Sequence, residues 1–179
     1  MTSELDVLGI VANRLEAAHV PYMLTGSFAM AYYATPRMTR DLDIVVALKV
    51  SDAAALAAQF SVEFYVDAEA VQGAARVEGF FNLMHLASGI KVDFIVRKSA
   101  QYRQVEFERR KRVEFAGIDC YIVSREDLIL SKLVWSRETR SELQHRDVRA
   151  LLHETVDQKY LRRWAIELGV LETLEELAR

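Results

Sequence analysis

Three aspartates and a Gly-Ser pair are the residues of this chain best placed to do chemistry. Asp41 and Asp43 flank Leu42 in Asp41-Leu42-Asp43-Ile44-Val45-Val46, an apolar, β-branched run that reads as a strand. Side chains alternate across a strand, so both carboxylates project to one face while Leu42 anchors the other face in the core. Asp93 interrupts a similar run, Lys91-Val92-Asp93-Phe94-Ile95-Val96, where an unpaired charge is costly unless it meets a cation or hydrogen-bond donors. Carboxylate oxygens suit Mg²⁺, and two such ions about 3.5–4 Å apart can clamp the attacking and leaving oxygens of an in-line displacement. Upstream, Gly26-Ser27 precedes a short apolar helix whose first turn leaves backbone N–H groups open to an anion. The combination points to a metal-bound polyphosphate.

Each piece alone is ordinary. A Gly-Ser before a helix is most often a turn with an N-cap, and an Asp-x-Asp at a strand entrance is often a solvated edge or an ion pair with a neighbour such as Arg40. Their joint occurrence carries the weight. Thr25-Gly26-Ser27, Asp41-Leu42-Asp43 and Asp93 together resemble the signature of the nucleotidyltransferase superfamily built on the DNA polymerase beta catalytic fold, with the best match from Tyr22 to Val46. Within that superfamily the chain is similar to small bacterial proteins grouped with the abortive-infection nucleotidyltransferase toxins. Glu126-Asp127-Leu128-Ile129-Leu130-Ser131-Lys132-Leu133 and His145-Arg146-Asp147-Val148 resemble that group's downstream helical motifs, so the likeness covers most of the chain.

The resemblance implies a nucleotidyltransferase that moves a nucleoside monophosphate from a triphosphate to a hydroxyl acceptor and releases pyrophosphate. The Gly26 and Ser27 amides and the Ser27 hydroxyl would hold the outer phosphates. Asp41 and Asp43 would bind the Mg²⁺ that carries the triphosphate, and Asp93 would complete a second ion site and help take the acceptor's proton. RNA, a small hydroxylated molecule, another protein or the chain itself all stay open as acceptor. So do a toxin held by a partner antitoxin and a non-catalytic relative that only binds nucleotide or RNA.

Lys132 projects from an apolar helical stripe with Leu128, Ile129, Leu133 and Trp135. It reads either as a triphosphate contact, which the resemblance favours, or as a packed stem with its ammonium reaching water. Asp147, among Leu143, Ala150 and Leu151, reads as a residue that orders Lys132 or a nearby arginine, or as a structural ion pair. Arg37 and Arg40 lie between the Gly-Ser turn and the acids, with Arg40 taken as a nucleotide contact and surface pairing as the plain alternative. Arg97, Lys98, Arg103, Arg109, Arg110, Lys111 and Arg112 face only Glu106 and Glu108, so this segment is either an RNA guide or a solvated basic face. The four histidines show no metal-ligand spacing.

These residues must be held by a small frame. The 179 residues are 51% apolar with two Pro, enough for one compact domain with a sizeable core. A net charge of -3 gives no overall nucleic-acid signature, and the single Cys120 sits in an apolar run as a buried small residue. The N-terminus lacks the features of a signal peptide and no apolar run spans a bilayer, so a cytoplasmic location is expected.

Periodicity predicts a helix over residues 4 to 18, a strand at 22 to 25, a helix at 27 to 34, a strand at 42 to 48, and a helix at 51 to 60 capped by Ser51. A short strand at 64 to 66, a helical stretch at 68 to 75, a hairpin around Ser88-Gly89 and another around Gly117 follow. Four helices, near 125 to 137, 141 to 154, 158 to 168 and 170 to 178, complete the chain, the first opened by Ser124-x-x-Asp127 as a capping box. The expected class is α+β, a mixed sheet with flanking helices (1–123) followed by a helical bundle (124–179) packed on it as one unit.

Overall fold

The computed structural model describes residues 2–34, 41–139 and 141–179, which alternate strand and helix as far as Ile122 and are helical beyond it. Helix α1 (Glu4–Ala17) starts at a capping box in which Ser3 accepts from the Asp6 amide and Asp6 accepts from the Ser3 amide. Strand β1 (Tyr22–Thr25), helix α2 (Gly26–Tyr33) and strand β2 (Asp41–Val46) follow. Helix α3 (Ala53–Phe60), strand β3 (Phe64–Tyr65) and helix α4 (Ala68–Val77) lead to the hairpin of β4 (Phe80–His85) and β5 (Lys91–Val96). Helix α5 (Gln101–Glu108) precedes a second hairpin, β6 (Lys111–Phe115) and β7 (Ile118–Ile122). Helices α6 (Arg125–Thr139), α7 (Glu142–Leu152), α8 (Gln158–Glu167) and α9 (Leu171–Leu177) close the chain.

The seven strands form one sheet in the order β3-β4-β5-β2-β1-β7-β6. β2 pairs with β5 and β1 with β7 in parallel, and the remaining neighbours are antiparallel, so the expected mixed sheet with flanking helices and a helical C-terminal part is what forms. Alternation divides the two central strands cleanly. Leu42, Ile44, Val46, Val92 and Phe94 are buried on one face, where the Phe60 ring of α3 meets Phe94; each such side chain contributes about 2 kcal/mol of burial. The opposite face carries Asp41, Asp43, Val45, Lys91, Asp93 and Ile95, half-buried or exposed. Helix α2 packs against β1, β2 and α6, while Phe80, Asn82 and Met84 of β4 stay exposed.

Two expectations need correction. Ser51 caps no helix: it sits in a 3-10 turn (Val50–Asp52) and bonds the Asp52 carboxylate. The basic segment contains a helix, α5, that apolar periodicity does not reveal because its buried stripe of Tyr102, Glu106 and Phe107 includes a carboxylate. Of the capping box expected at Ser124, the bond from the Asp127 amide to Ser124 Oγ forms, and Asp127 has a larger role than a cap. Fully buried, Asp127 accepts from Ser124 Oγ (2.5 Å), Tyr160 Oη (2.6 Å), Arg109 Nε (3.0 Å) and Tyr102 Oη (3.3 Å), tying α5 and α8 to the start of α6. Among the described residues no helix is long and apolar enough to cross a membrane.

Candidate active site

Antiparallel pairing of β1 with β2 sets Thr25 opposite Asp43, and the chain then turns sharply into α2. Gly26 makes that turn at φ 62°, a left-handed conformation that disfavours any side chain. It also makes room. A Cβ at position 26 would lie 2.7 Å from the Asp43 carboxyl carbon and 2.9 Å from the Asp43 Cβ. The Ser27 amide donates to the Asp43 carboxylate, so the first turn of α2 and the acid strand are joined directly. Thr25, at the N-cap, offers no side-chain cap to the remaining amides of that turn.

Parallel pairing of β2 with β5 places Asp43 opposite Asp93 and Asp41 opposite Lys91, on strands about 4.8 Å apart. Burial, then the negative charges of Asp93 and Asp41, push the Asp43 carboxyl up to about 6 against the pull of the Ser27 amide and the Lys132 ammonium. Lys91 Nζ bonds Asp93 Oδ2 at 2.8 Å, and that bond followed by the nearby acids raises the Lys91 ammonium above its ordinary value. Among the described residues no three His, Cys, Asp or Glu side chains already surround one point as a finished metal centre. The donor set nevertheless fits a hard divalent cation. Three carboxylates share one face of the sheet, their repulsion is visible at Asp43, and a lysine ammonium is already drawn among them.

Helix α6 brings Lys132 into the same cleft as Asp43, close enough for its charge to act on that carboxyl. Lys132 Nζ lies 2.7 Å from Asp147 Oδ2 and 3.1 Å from Gln144 Oε1 of α7, with both charged side chains about 5% exposed or less. The ammonium is therefore held inside the protein and does not reach out to bulk water. Asp147 is the ion-pair partner of Lys132, an arrangement that fits either expectation for that residue.

Gly26, Ser27, Asp43 and Lys132 line one cleft of about 290 Å³, with Val45 and Ile95 in its lining from the sheet. Asp41 and Asp93 occupy the same sheet face without lining the cleft. Arg37 and Arg40 lie outside the described residues.

The cleft is also lined by Arg103 and Glu106 of α5 and by Ser131 and Trp135 of α6, none of them expected at the nucleotide site. Arg103 Nη1 donates to Glu106 Oε2 (2.8 Å) and to Ser131 Oγ (2.7 Å), and Ser131 Oγ donates to Glu106 Oε1 (2.5 Å). Burial raises the Glu106 carboxyl in spite of the arginine and the serine. The i, i+3 spacing of Arg103 and Glu106 and the same-face spacing of Lys91 and Asp93 are the signals that could have exposed these pairs.

The basic segment is largely consumed within the fold. Arg109 pairs with Asp127 and Glu126 and stacks on Tyr160 (3.8 Å). Arg110 caps Phe107 O and lies over the Phe107 and Tyr121 rings, and Arg112 pairs with Asp119. Arg109 and Arg110 are thus engaged within the fold, while Lys98, Lys111 and Arg112 stay exposed.

No protein-family model matches the chain, and no curated protein sequence is detectably similar to it. Solved structures are similar in fold. A nucleotidyltransferase-like antigenic protein of Paracoccidioides brasiliensis is 17% identical, over 96% of this chain and 85% of its own, with a TM-score of 0.63. The lincosamide antibiotic adenylyltransferase LnuA, solved with lincomycin bound, is 15% identical over 84% of this chain and 96% of its own, with a TM-score of 0.55. The antibiotic-resistance factor ANT(2'')-Ia is 13% identical over 96% of this chain and 86% of its own, with a TM-score of 0.54. The architecture is thus the nucleotidyltransferase fold.

Proposed function

We propose that the protein is a Mg²⁺-dependent nucleotidyltransferase, which transfers a nucleoside monophosphate from a nucleoside triphosphate to a hydroxyl acceptor. The observation that supports this best is the convergence of the Gly26-Ser27 turn, Asp43 and the buried Lys132 on one cleft, with Asp41 and Asp93 on the same sheet face. Mg²⁺, held by Asp41, Asp43 and Asp93, would supply positive charge to the phosphates and lower the barrier at the reacting oxygens. The α2 N-terminus and the Lys132 ammonium, fixed by Asp147 and Gln144, bind and orient the outer phosphates. Asp93 takes the proton as the acceptor oxygen bonds to the α-phosphorus and the bond to the departing pyrophosphate breaks.

The acceptor approaches from the open half of the sheet face, where Asn82 lies opposite Asp93 and Phe80 and Met84 are exposed. A small hydroxylated molecule suits this mixed apolar and polar surface better than RNA, since Arg109 and Arg110 of the basic segment are engaged internally; LnuA, with lincomycin bound, is a neighbour of that kind. Resemblance to the abortive-infection toxins adds a setting in which a partner antitoxin restrains the same reaction. Growth arrest on expression, relieved by an adjacent gene, tests that setting. The central test is incubation of the protein with each α-labelled triphosphate, Mg²⁺ and cell extract: label on an acceptor supports transfer, and binding without transfer supports the non-catalytic alternative.

A further inference from the structure

We propose that the cleft beyond Lys132 is a nucleobase subsite, in which a purine ring stacks on Trp135 and its edge meets the Arg103 guanidinium. The proposal rests on the triphosphate-binding reading of Gly26, Asp43 and Lys132 and extends it to further residues that line the same cleft. Trp135 follows Lys132 by three residues on α6, so the two side chains lie on neighbouring parts of one helix face. An indole is costly to leave in water, yet Trp135 is 54% exposed while it lines the cleft. Val45, Ile95, Leu128 and Val134 add apolar surface to that lining. A flat aromatic guest recovers the hydrophobic and dispersion energy that water cannot supply there.

The polar partner is prepared in advance. Glu106 is 3% exposed, and its two oxygens hold Arg103 Nη1 and Ser131 Oγ, so the guanidinium is fixed before any ligand arrives. An arginine so held has further N–H donors, which match the ring nitrogens and carbonyl oxygens of a purine edge. Helix α5 is itself held in place by the bonds from Tyr102 and Arg109 to Asp127. Arg97, whose buried Nε has no hydrogen-bond partner, and Lys98 add positive charge to the lining just past the end of β5. Loss of stacking on a tryptophan is expected to cost about tenfold in affinity, equivalent to about 1.4 kcal/mol.

Calorimetric titration with ATP, GTP and inorganic tripolyphosphate tests the subsite. The expected result is that both purine triphosphates bind the parent protein more tightly than tripolyphosphate. Trp135→Ala should cost each about tenfold while tripolyphosphate binding stays at the parental value, and Trp135→Phe should restore most of the loss. Tripolyphosphate binding as tightly as ATP, or ATP affinity unchanged in Trp135→Ala, overturns the base subsite and leaves the phosphate site standing. Failure of the parent protein to bind any of the three would overturn both.

Discussion

Gly26 lies against the Asp43 carboxylate so closely that position 26 has no room for a Cβ. The Gly26-Ser27 turn and the strand that carries Asp43 are thereby one structural unit, joined a second time by the Ser27 amide.

Gly26→Ala should therefore do more damage than its backbone strain alone. Gly89 provides the comparison, because it too has a positive φ, of 69°, but nothing within 4 Å of its would-be Cβ. Gly89→Ala is expected to cost about 1 kcal/mol from the left-handed conformation. Gly26→Ala should cost about 3 kcal/mol or more and displace Asp43, abolishing transfer. Equal unfolding free energies for the two variants in urea would show that the contact carries no energy.

Asp43 exchanges stability for function. Its folded pKa, about 6, lies above the ordinary 3.8, so the favourable protonated form is fully present below pH 3.8 and is lost as pH rises through 6. At pH 8 the metal-free protein bears a cost of up to about 3 kcal/mol that Asp43→Asn removes, less the lost bond from the Ser27 amide. The variant should melt higher than the parent at pH 8, match it near pH 4, and lose transfer about a thousandfold. Mg²⁺ should raise the melting temperature of the parent alone. A variant less stable than the parent at pH 8 would contradict this account of Asp43.

How much of this was legible from residue order depends on whether the cause was local. Strand alternation suffices to put Asp41 and Asp43 on one face, and the apolar runs locate β1, β2 and the β4–β5 hairpin to within a residue or two. The pairing of Asp43 with Asp93 needs a parallel crossover, and only the resemblance pointed to it. Lys132 stood out because an apolar stripe exposed its oddity, but its partners Gln144 and Asp147 are brought to it by α6–α7 packing. In the basic segment a count of charge could not tell which side chains the fold engages. Asp127, Glu126 and three aromatic rings absorb Arg109 and Arg110, and helix α5 hides behind a buried glutamate.

Lys132 and Asp147 form a buried pair, so removing one partner strands the other. Lys132→Met should destabilise the protein by about 3–5 kcal/mol and weaken triphosphate binding. Lys132→Met combined with Asp147→Leu should recover much of the stability, because no unpaired charge is left inside, while triphosphate affinity stays low. Thermal melts and calorimetry on the same samples separate the two effects. Parental affinity in the double variant would remove Lys132 from the phosphate site.

Lys91 and the proposed Mg²⁺ would compete for the same carboxylate. The Lys91 ammonium bonds Asp93 and, by register, stands opposite Asp41, so an ion held by these acids must displace it or share them. Its pKa is raised above an ordinary value that already lies beyond 10; stability from the pair is thus fully present at neutral pH and fades only in strongly alkaline solution. The pair is partly exposed, which limits its contribution to less than about 1 kcal/mol. Lys91→Gln should consequently cost little stability in metal-free buffer yet tighten Mg²⁺ binding about three- to tenfold, since no cation must leave and the acids gain net negative charge. Mg²⁺ titration by calorimetry, without nucleotide, reads this directly. If Lys91→Gln instead binds Mg²⁺ more weakly, the lysine supports the ion site, and the three acids are held apart by something other than a resident ammonium.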